Sequence, residues 1–247
     1  MKNPRLFVNA ALKEGAPVAL DRAQAHYLGR VMRLRAGDRV SLFNGKDGEW
    51  TAVIETAAKN RVSAIVENQT RSQEAEHGPW LSFAPIKKTP TDFIVEKATE
   101  LGVSCLGPVF TQNTNSTRIN LDRLRAHAIE AAEQCQRLTV PEIADAVSID
   151  QFIADWPKGR TLFWLDESGG GRPIVDVLSD LRDGPSGISH DCGFLSGPEG
   201  GFTVTELDAL RERDFVVAVD LGPRVLRADT AALAALACWQ AFFGSRR

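Results

Sequence analysis

From Trp80 onward, strand-length apolar runs alternate with segments of helical period, and this alternation limits the fold more than any other feature of the chain. Leu81-Ser-Phe-Ala-Pro85 reads as a buried strand. A helix follows, with Thr89 as its cap, Pro90 in its first turn and Gly102 as its stop, and Ile94, Ala98 and Leu101 share one face. A strand near Leu106–Phe110 precedes a second helix, whose Leu121, Leu124, Ala128, Ala131, Cys135 and Leu138 recur at three and four residues. Further strands read at Thr161–Leu165, Gly193–Ser196 and Phe215–Leu221, and Thr203-Val-Thr-Glu206 is a capping box that starts a helix between the last two. Strands that alternate with helices specify an α/β domain with a largely parallel sheet.

Residues 1–70 read differently, as short strands. Arg39–Phe43 and Glu49–Ile54 flank Asn44-Gly-Lys-Asp-Gly48, a hairpin signal, and Arg61–Val66 follows. The polar, aperiodic stretch 68–79 reads as a linker, which predicts a small β-barrel over 1–72 and the α/β domain over 78–247. Charge divides along the same line. Through Arg71 the chain has 12 Lys/Arg against 7 Asp/Glu, whereas the remainder carries the acidic excess that brings the whole to −3. A polyanion would meet the basic front first; the alternative is a small domain with ordinary solvated charge.

With 43% hydrophobic and 25% charged residues, the composition is that of a globular protein. The start, MKNPRLFVNA, has no apolar run of signal-peptide length, and Ala231–Phe243 is too short to span a bilayer. Cys105, Cys135, Cys192 and Cys238 are far apart, with no C-x-x-C pair and no His at metal-ligand spacing. The reading is four free thiols, no metal site, no membrane partner and a cytoplasmic location.

In parallel sheets, ligands bind where strands give way to loops. Three such loops are unusual: Asp166-Glu-Ser-Gly-Gly-Gly171, Ser196-Gly-Pro-Glu-Gly-Gly201 and Leu221-Gly-Pro-Arg-Val-Leu-Arg-Ala-Asp-Thr230. Each alone reads as a tight turn. Together they offer bare backbone to a ligand recognised through N–H and C=O groups, such as an adenine or a ribose. Gly197, Gly200 and Gly201 lack the G-x-G-x-x-G spacing of dinucleotide folds, and no G-K-S or G-K-T phosphate loop is present.

In order along the chain come Glu96-Lys-Ala-Thr-Glu-Leu-Gly-Val103, Glu130-Ala-Ala-Glu-Gln-Cys-Gln-Arg137 with Pro141-Glu, Gly197-Pro-Glu-Gly-Gly-Phe202 with Glu206, and Leu221-Gly-Pro-Arg-Val-Leu-Arg227 with Thr230-Ala. This ordered set resembles the RsmE family, SPOUT-class enzymes that methylate N3 of a uridine in 16S ribosomal RNA of the small subunit. The front agrees: His26-Tyr-Leu, Val31-Met-Arg-Leu-Arg35 and Gly37-Asp38 resemble the family's PUA-like RNA-binding barrel. The resemblance implies a deep trefoil knot, rare among folds, wrapped around S-adenosylmethionine, with Leu165, Leu195, Gly197, Gly200, Leu221, Gly222, Val225 and Leu226 at the cofactor positions. It also implies a homodimer, which the apolar terminal helix from Ala231 would help to build if it is not ordinary core.

Methylation at N3 requires loss of its proton, and the anion spreads onto O2 and O4, where a cation would stabilise it. Arg227, next to the cofactor-facing Leu226, is the candidate, with an ion pair to Asp229 or Asp220 as its alternative role. Glu130, Gln134 and Arg137, at i, i+4 and i+7, are expected to form a buried polar network bracing the knot. Arg30, Arg33 and Arg35 are the RNA candidates of the front domain. Where the family usually has an arginine after the Pro108-Val-Phe110 strand, this chain has Asn113, and Arg118 is the substitute. Two other readings stay open: a SPOUT enzyme acting on another RNA such as transfer RNA, and an RNA-binding protein without activity. Binding of S-adenosylmethionine separates the last from the other two.

Overall fold

The computed structural model describes residues 3–58, 61–183 and 192–244. They form two compact units, Met1–Glu76 with Ala132–Val140, and His77–Ala131 with Pro141–Arg247.

The first unit contains β1 (Arg5–Phe7), β2 (Pro17–Ala19), α1 (Arg22–His26) running into a π-helical turn at Tyr27–Val31, β3 (Arg39–Phe43), β4 (Glu49–Ala58) and β5 (Arg61–Arg71). The sheet order is β1-β3-β4-β5-β2, parallel at β1–β3 and antiparallel elsewhere. The β3–β4 hairpin forms as its sequence requires: Asn44 Oδ1 accepts from the amides of Lys46 and Asp47, and Gly45 and Gly48 take positive φ. Alternate residues Val40 and Leu42, Ala52 and Ile54, and Val62, Ala64 and Val66 bury one face of the sheet. A strands-only reading of 1–70 omits α1. Its signal is Asp21 three residues before Gln24, which form a reciprocal capping box. The stretch 68–79 is also not all linker. β5 pairs with β4 as far as Arg71, because backbone pairing needs no apolar side chains.

Residues 132–140 are sewn to this unit by ion pairs and backbone contacts. Arg5 donates from Nε to Glu49 (2.6 Å) and from Nη1 to the Ala132 carbonyl (2.7 Å). Arg137 donates to Glu76 (2.8 Å), which also accepts from Thr139 Oγ1 (2.7 Å) and the Leu138 amide (3.0 Å). This corrects the expected network of Glu130, Gln134 and Arg137. The helix ends at Cys135 and Gln136 turns left-handed at φ 66°, so Arg137 leaves the helical face, and Glu130 and Gln134 are exposed.

Burial pushes the Glu76 carboxyl up, but the Thr139 hydrogen bond, the Arg137 charge and the Leu138 amide outweigh it and hold the group below its ordinary 4.5. A depressed carboxylate contributes stability that is full above its unfolded-state value and is lost as pH falls through the folded-state value. Thermal melts taken from pH 7 to pH 3 are therefore expected to show acid destabilisation beginning below about 4.5, and Glu76→Gln is expected to flatten that part of the profile. An unchanged profile in a folded Glu76→Gln protein would remove Glu76 as the source.

The second unit contains β6 (Trp80–Phe83), α2 (Lys88–Glu100), β7 (Cys105–Phe110), most of α3 (Leu121–Cys135), β8 (Glu142–Ile143), β9 (Val147–Ser148), α4 (Ile149–Ala154), β10 (Thr161–Leu165), β11 (Arg172–Pro173), α5 (Ile174–Asp183), β12 (Cys192–Ser196), α6 (Val204–Arg211), β13 (Val216–Asp220) and α7 (Ala228–Phe243). The main sheet runs β11-β13-β10-β12-β6-β7-β8, with β9 paired to β7. Every pairing in this unit is parallel among the described residues. All of β12 and four of the five residues of β10 are buried, as strands covered on both faces must be. Thr89 does not cap α2. The helix starts two residues earlier, at Lys88 with Lys87 at the cap position and no side-chain cap, and Thr91 Oγ1 instead bridges the N–H and C=O of Ile86 at 3.2 Å.

Candidate functional site

The three glycine-rich loops follow β10, β12 and β13, which are neighbours in the order β13-β10-β12 and point the same way. Their C-terminal ends therefore open onto one edge of the sheet. Two cavities lie there. One, of about 350 Å³, is lined by the 165–169 and 220–226 segments and Ala231. The other, of about 540 Å³, is lined by Lys87, Ser196, Gly197, Phe202, Arg227 and Ala228 among others. They share Leu165, Asp166, Glu167, Ser168, Val225, Leu226 and Ala231, so they form one continuous cleft.

Polar contacts set the shape of each loop. The buried Asp166 carboxylate accepts from the Ser168 amide (2.9 Å) and hydroxyl (2.8 Å), which curls the first loop. Asp220 accepts from the Gly222 amide at 2.9 Å, and Gly222 takes φ 112°, a conformation open to glycine. Ser196 Oγ donates to the Ala228 carbonyl at 3.0 Å, tying the end of β12 to the start of α7. The Thr203–Glu206 capping box forms, and the buried Glu206 carboxylate also accepts the Gln112 amide at 2.8 Å. One carboxylate thus joins the second loop to the one after β7.

The glycines of the second loop make room for protein. A Cβ on Gly197 would lie 2.6 Å from the Phe202 ring, one on Gly201 would strike the Glu167 carboxylate, and one on Gly200 would lie 3.2 Å from Asn113 Cβ. A side chain at Gly200 therefore meets Asn113 before any ligand. Asn113 itself donates from Nδ2 to the carbonyls of Gly200 (3.2 Å) and Gly201 (2.9 Å), which fastens it to the loop.

Of the residues singled out from the sequence, Leu165, Gly197, Leu221, Gly222, Val225 and Leu226 line the cleft. Leu195 is fully buried in the core beneath the sheet edge, and neither it nor Gly200 lines the cleft. Arg227 lines the larger cavity, is exposed, and makes no ion pair among the described residues; Asp220 and Asp229 instead accept from Gly222 and Thr230. Lys87 and Ala231 were not legible as site residues. Lys87 belongs to no motif, and Ala231 sits in an apolar helical run that reads as core. Arg118 lines a separate cavity of about 420 Å³ with Lys88, Ser116, Asn120 and Arg123.

Among the described residues no cluster of His, Cys, Asp and Glu has the make-up of a metal site, and no helix is long and apolar enough to cross a membrane. Burial pushes the Cys105 thiol up to about 11, so it remains protonated and is no nucleophile. The cleft thus offers leucine side chains, bare backbone, the carboxylates of Asp166, Glu167, Glu199 and Asp220, and at Arg227 a guanidinium with no ion pair among the described residues. That set suits a ligand with a flat apolar part whose edge seeks main-chain partners, beside a place where negative charge develops.

Arg30, Arg33 and Arg35 lie on the first unit, all exposed and without an ion pair among the described residues. Arg33 has φ 58°, in the left-handed region. Tyr27, Val31 and Met32 beside them are also exposed. Replacing the three arginines with alanine is expected to lower affinity for RNA at least tenfold and to reduce the slope of log affinity against log salt. An unchanged slope would exclude them as phosphate contacts.

Residues 76–240 match the model of an RNA methyltransferase domain, and residues 20–67 that of an RNA methyltransferase PUA domain. The ribosomal RNA small subunit methyltransferase E of Rickettsia conorii is 32% identical, covering 96% of this chain and 95% of its own. The Bacillus subtilis protein of that name is 28% identical over 91% and 90%. The structure of a ribosomal RNA small subunit methyltransferase E from Neisseria gonorrhoeae bound to S-adenosyl methionine superposes with a TM-score of 0.81 at 30% identity, covering 97% and 98%. A Legionella pneumophila protein in complex with the bound cofactor SAM gives 0.83 at 28% identity, covering 98% of each chain.

Proposed function

Since the chain belongs to the ribosomal RNA small subunit methyltransferase E family, we propose that it methylates N3 of a uridine in 16S ribosomal RNA, using S-adenosylmethionine. The observation that carries the reading is the single cleft built from the ends of three adjacent parallel strands, lined by leucines and backbone and edged by Arg227.

The residues present fit the cofactor. Leu165, Leu221, Val225 and Leu226 offer apolar surface to an adenine, and Gly197 and Gly222 expose main-chain groups to its edge and to the ribose. Leu195 and Gly200 serve from behind, one as core and one as the seat of Asn113. When bound, S-adenosylmethionine supplies the electrophilic methyl group, which accounts for the absence of any need for a protein nucleophile. The chain has to orient the uracil edge, exclude water and stabilise the charge left when the N3 proton departs. Arg227 is assigned the last task.

In this reading residues 1–72 bring RNA to a catalytic domain over 78–247, the 221–227 loop is part of a trefoil knot, and two copies pair in the cytoplasm. Sedimentation velocity tests the pairing. For the activity, the protein is incubated with methyl-labelled cofactor and small ribosomal subunits, and the RNA is digested to nucleosides. The expected product is 3-methyluridine from 16S RNA. Label in another nucleoside, or transfer to transfer RNA alone, would overturn the assignment.

A further inference from the structure

We propose that the cavity lined by Lys88, Arg118 and Arg123 holds the nucleotide next to the target base in the bound RNA strand. This rests on the activity proposed above and extends it to the path of the strand.

The cavity, of about 420 Å³, opens beyond the ends of β6 and β7, which follow β12 in the sheet order. It is therefore next along the same sheet edge from the cleft. Lys87 lines the cleft and Lys88 lines this cavity, so consecutive residues, about 3.8 Å apart at Cα, divide the two.

Pro85, Ile86, Ile119 and Leu124 give its lining an apolar wall, and Lys88, Arg118 and Arg123 give three cations against one carboxylate, Asp92, with Thr91, Ser116 and Asn120 between them. Lys87, Lys88 and Arg118 are exposed and make no ion pair among the described residues. Arg123 is held differently: Nη2 donates to the buried Asp92, and Nε to His127 Nε2 at 3.4 Å. One cation is thus positioned by the protein, and the others are available to a ligand.

An apolar wall facing cations suits a base joined to a phosphate. A polymer is indicated by the neighbouring cleft. An enzyme that modifies an atom of a base draws that base out of the stack, and phosphate contacts fix the strand while it does so.

The test compares the full chain with Lys88→Gln/Arg118→Gln, using fluorescein-labelled 16S RNA and anisotropy across a salt series. RNA affinity is expected to fall at least tenfold and the salt slope to drop by about one to two, as for two lost single-strand phosphate contacts. Calorimetry is expected to give an unchanged affinity for S-adenosylmethionine. Lys88→Arg/Arg118→Lys, which keeps both charges, is expected to retain most of the RNA affinity. Unchanged RNA affinity and slope in the Gln variant would overturn the proposal, as would weakened cofactor binding, which would assign the residues to the cleft. Lost affinity for uridine monophosphate with RNA affinity intact would make this a free-nucleotide site and also overturn it. Wild-type protein that binds RNA but transfers no methyl group would overturn the proposed activity alone, and the affinity comparison would still decide the subsite. Wild-type protein that binds no RNA would overturn both.

Discussion

Arg227→Ala is expected to slow single-turnover methyl transfer by about a hundredfold to a thousandfold, or roughly 2.7–4 kcal/mol, as when one donor to a developing oxyanion is removed. The side chain lines the larger cavity, is exposed and has no ion-pair partner among the described residues, so its charge is not already neutralised. It immediately precedes the 16-residue helix α7, whose N-terminus adds partial positive charge at the same place. With RNA and cofactor both saturating, the single-turnover rate reports the chemical step apart from binding. Lysine keeps the charge and loses the planar fork, so Arg227→Lys is expected to recover part of the rate. Because the N3 proton must leave, the rate is also expected to climb with pH through neutrality in wild type and variants. A wild-type single-turnover rate in Arg227→Ala, with only binding weakened, would make Arg227 a positioning residue.

Ala231→Trp is expected to weaken S-adenosylmethionine binding about a hundredfold, or about 2.7 kcal/mol, in a protein that still folds. Ala231 is the α7 residue that lines both cavities, so a ring there fills the waist of the cleft. It is half-buried, unlike the fully buried Ala232 and Ala235, and tryptophan is compatible with a helix interior. Calorimetry measures the affinity, and a thermal melt checks the fold. Unchanged affinity in a folded variant would remove the cofactor from this cleft. Gly200→Val is the poorer test, because its side chain would first meet Asn113.

Much of the second unit was legible in the chain. The Thr161–Leu165 strand lies within its expected bounds, the Thr203–Glu206 capping box forms, and the pairings are parallel. These features depend on contacts within a few residues or on one apolar period, which a linear pattern records. The helix at Arg22–His26 carried a readable signal in Asp21 and Gln24, whereas the end of α3 did not, because nothing in the apolar period marks the left-handed turn at Gln136.

The sequence by itself determined that strands alternate with helices, that three strands end in loops of little bulk, and that Leu226 and Arg227 stand side by side on the last of them. Only the tertiary structure decided which loops meet. The order β13-β10-β12 brings together segments that begin at 166, 197 and 221, and adds Lys87 and Ala231, which no motif marks. It also decided that Gly197, Gly200 and Gly201 make room for Phe202, Asn113 and Glu167. The physical reason is that local chain geometry depends on near neighbours, whereas a cavity depends on side chains far apart in sequence whose proximity is settled by strand order and packing.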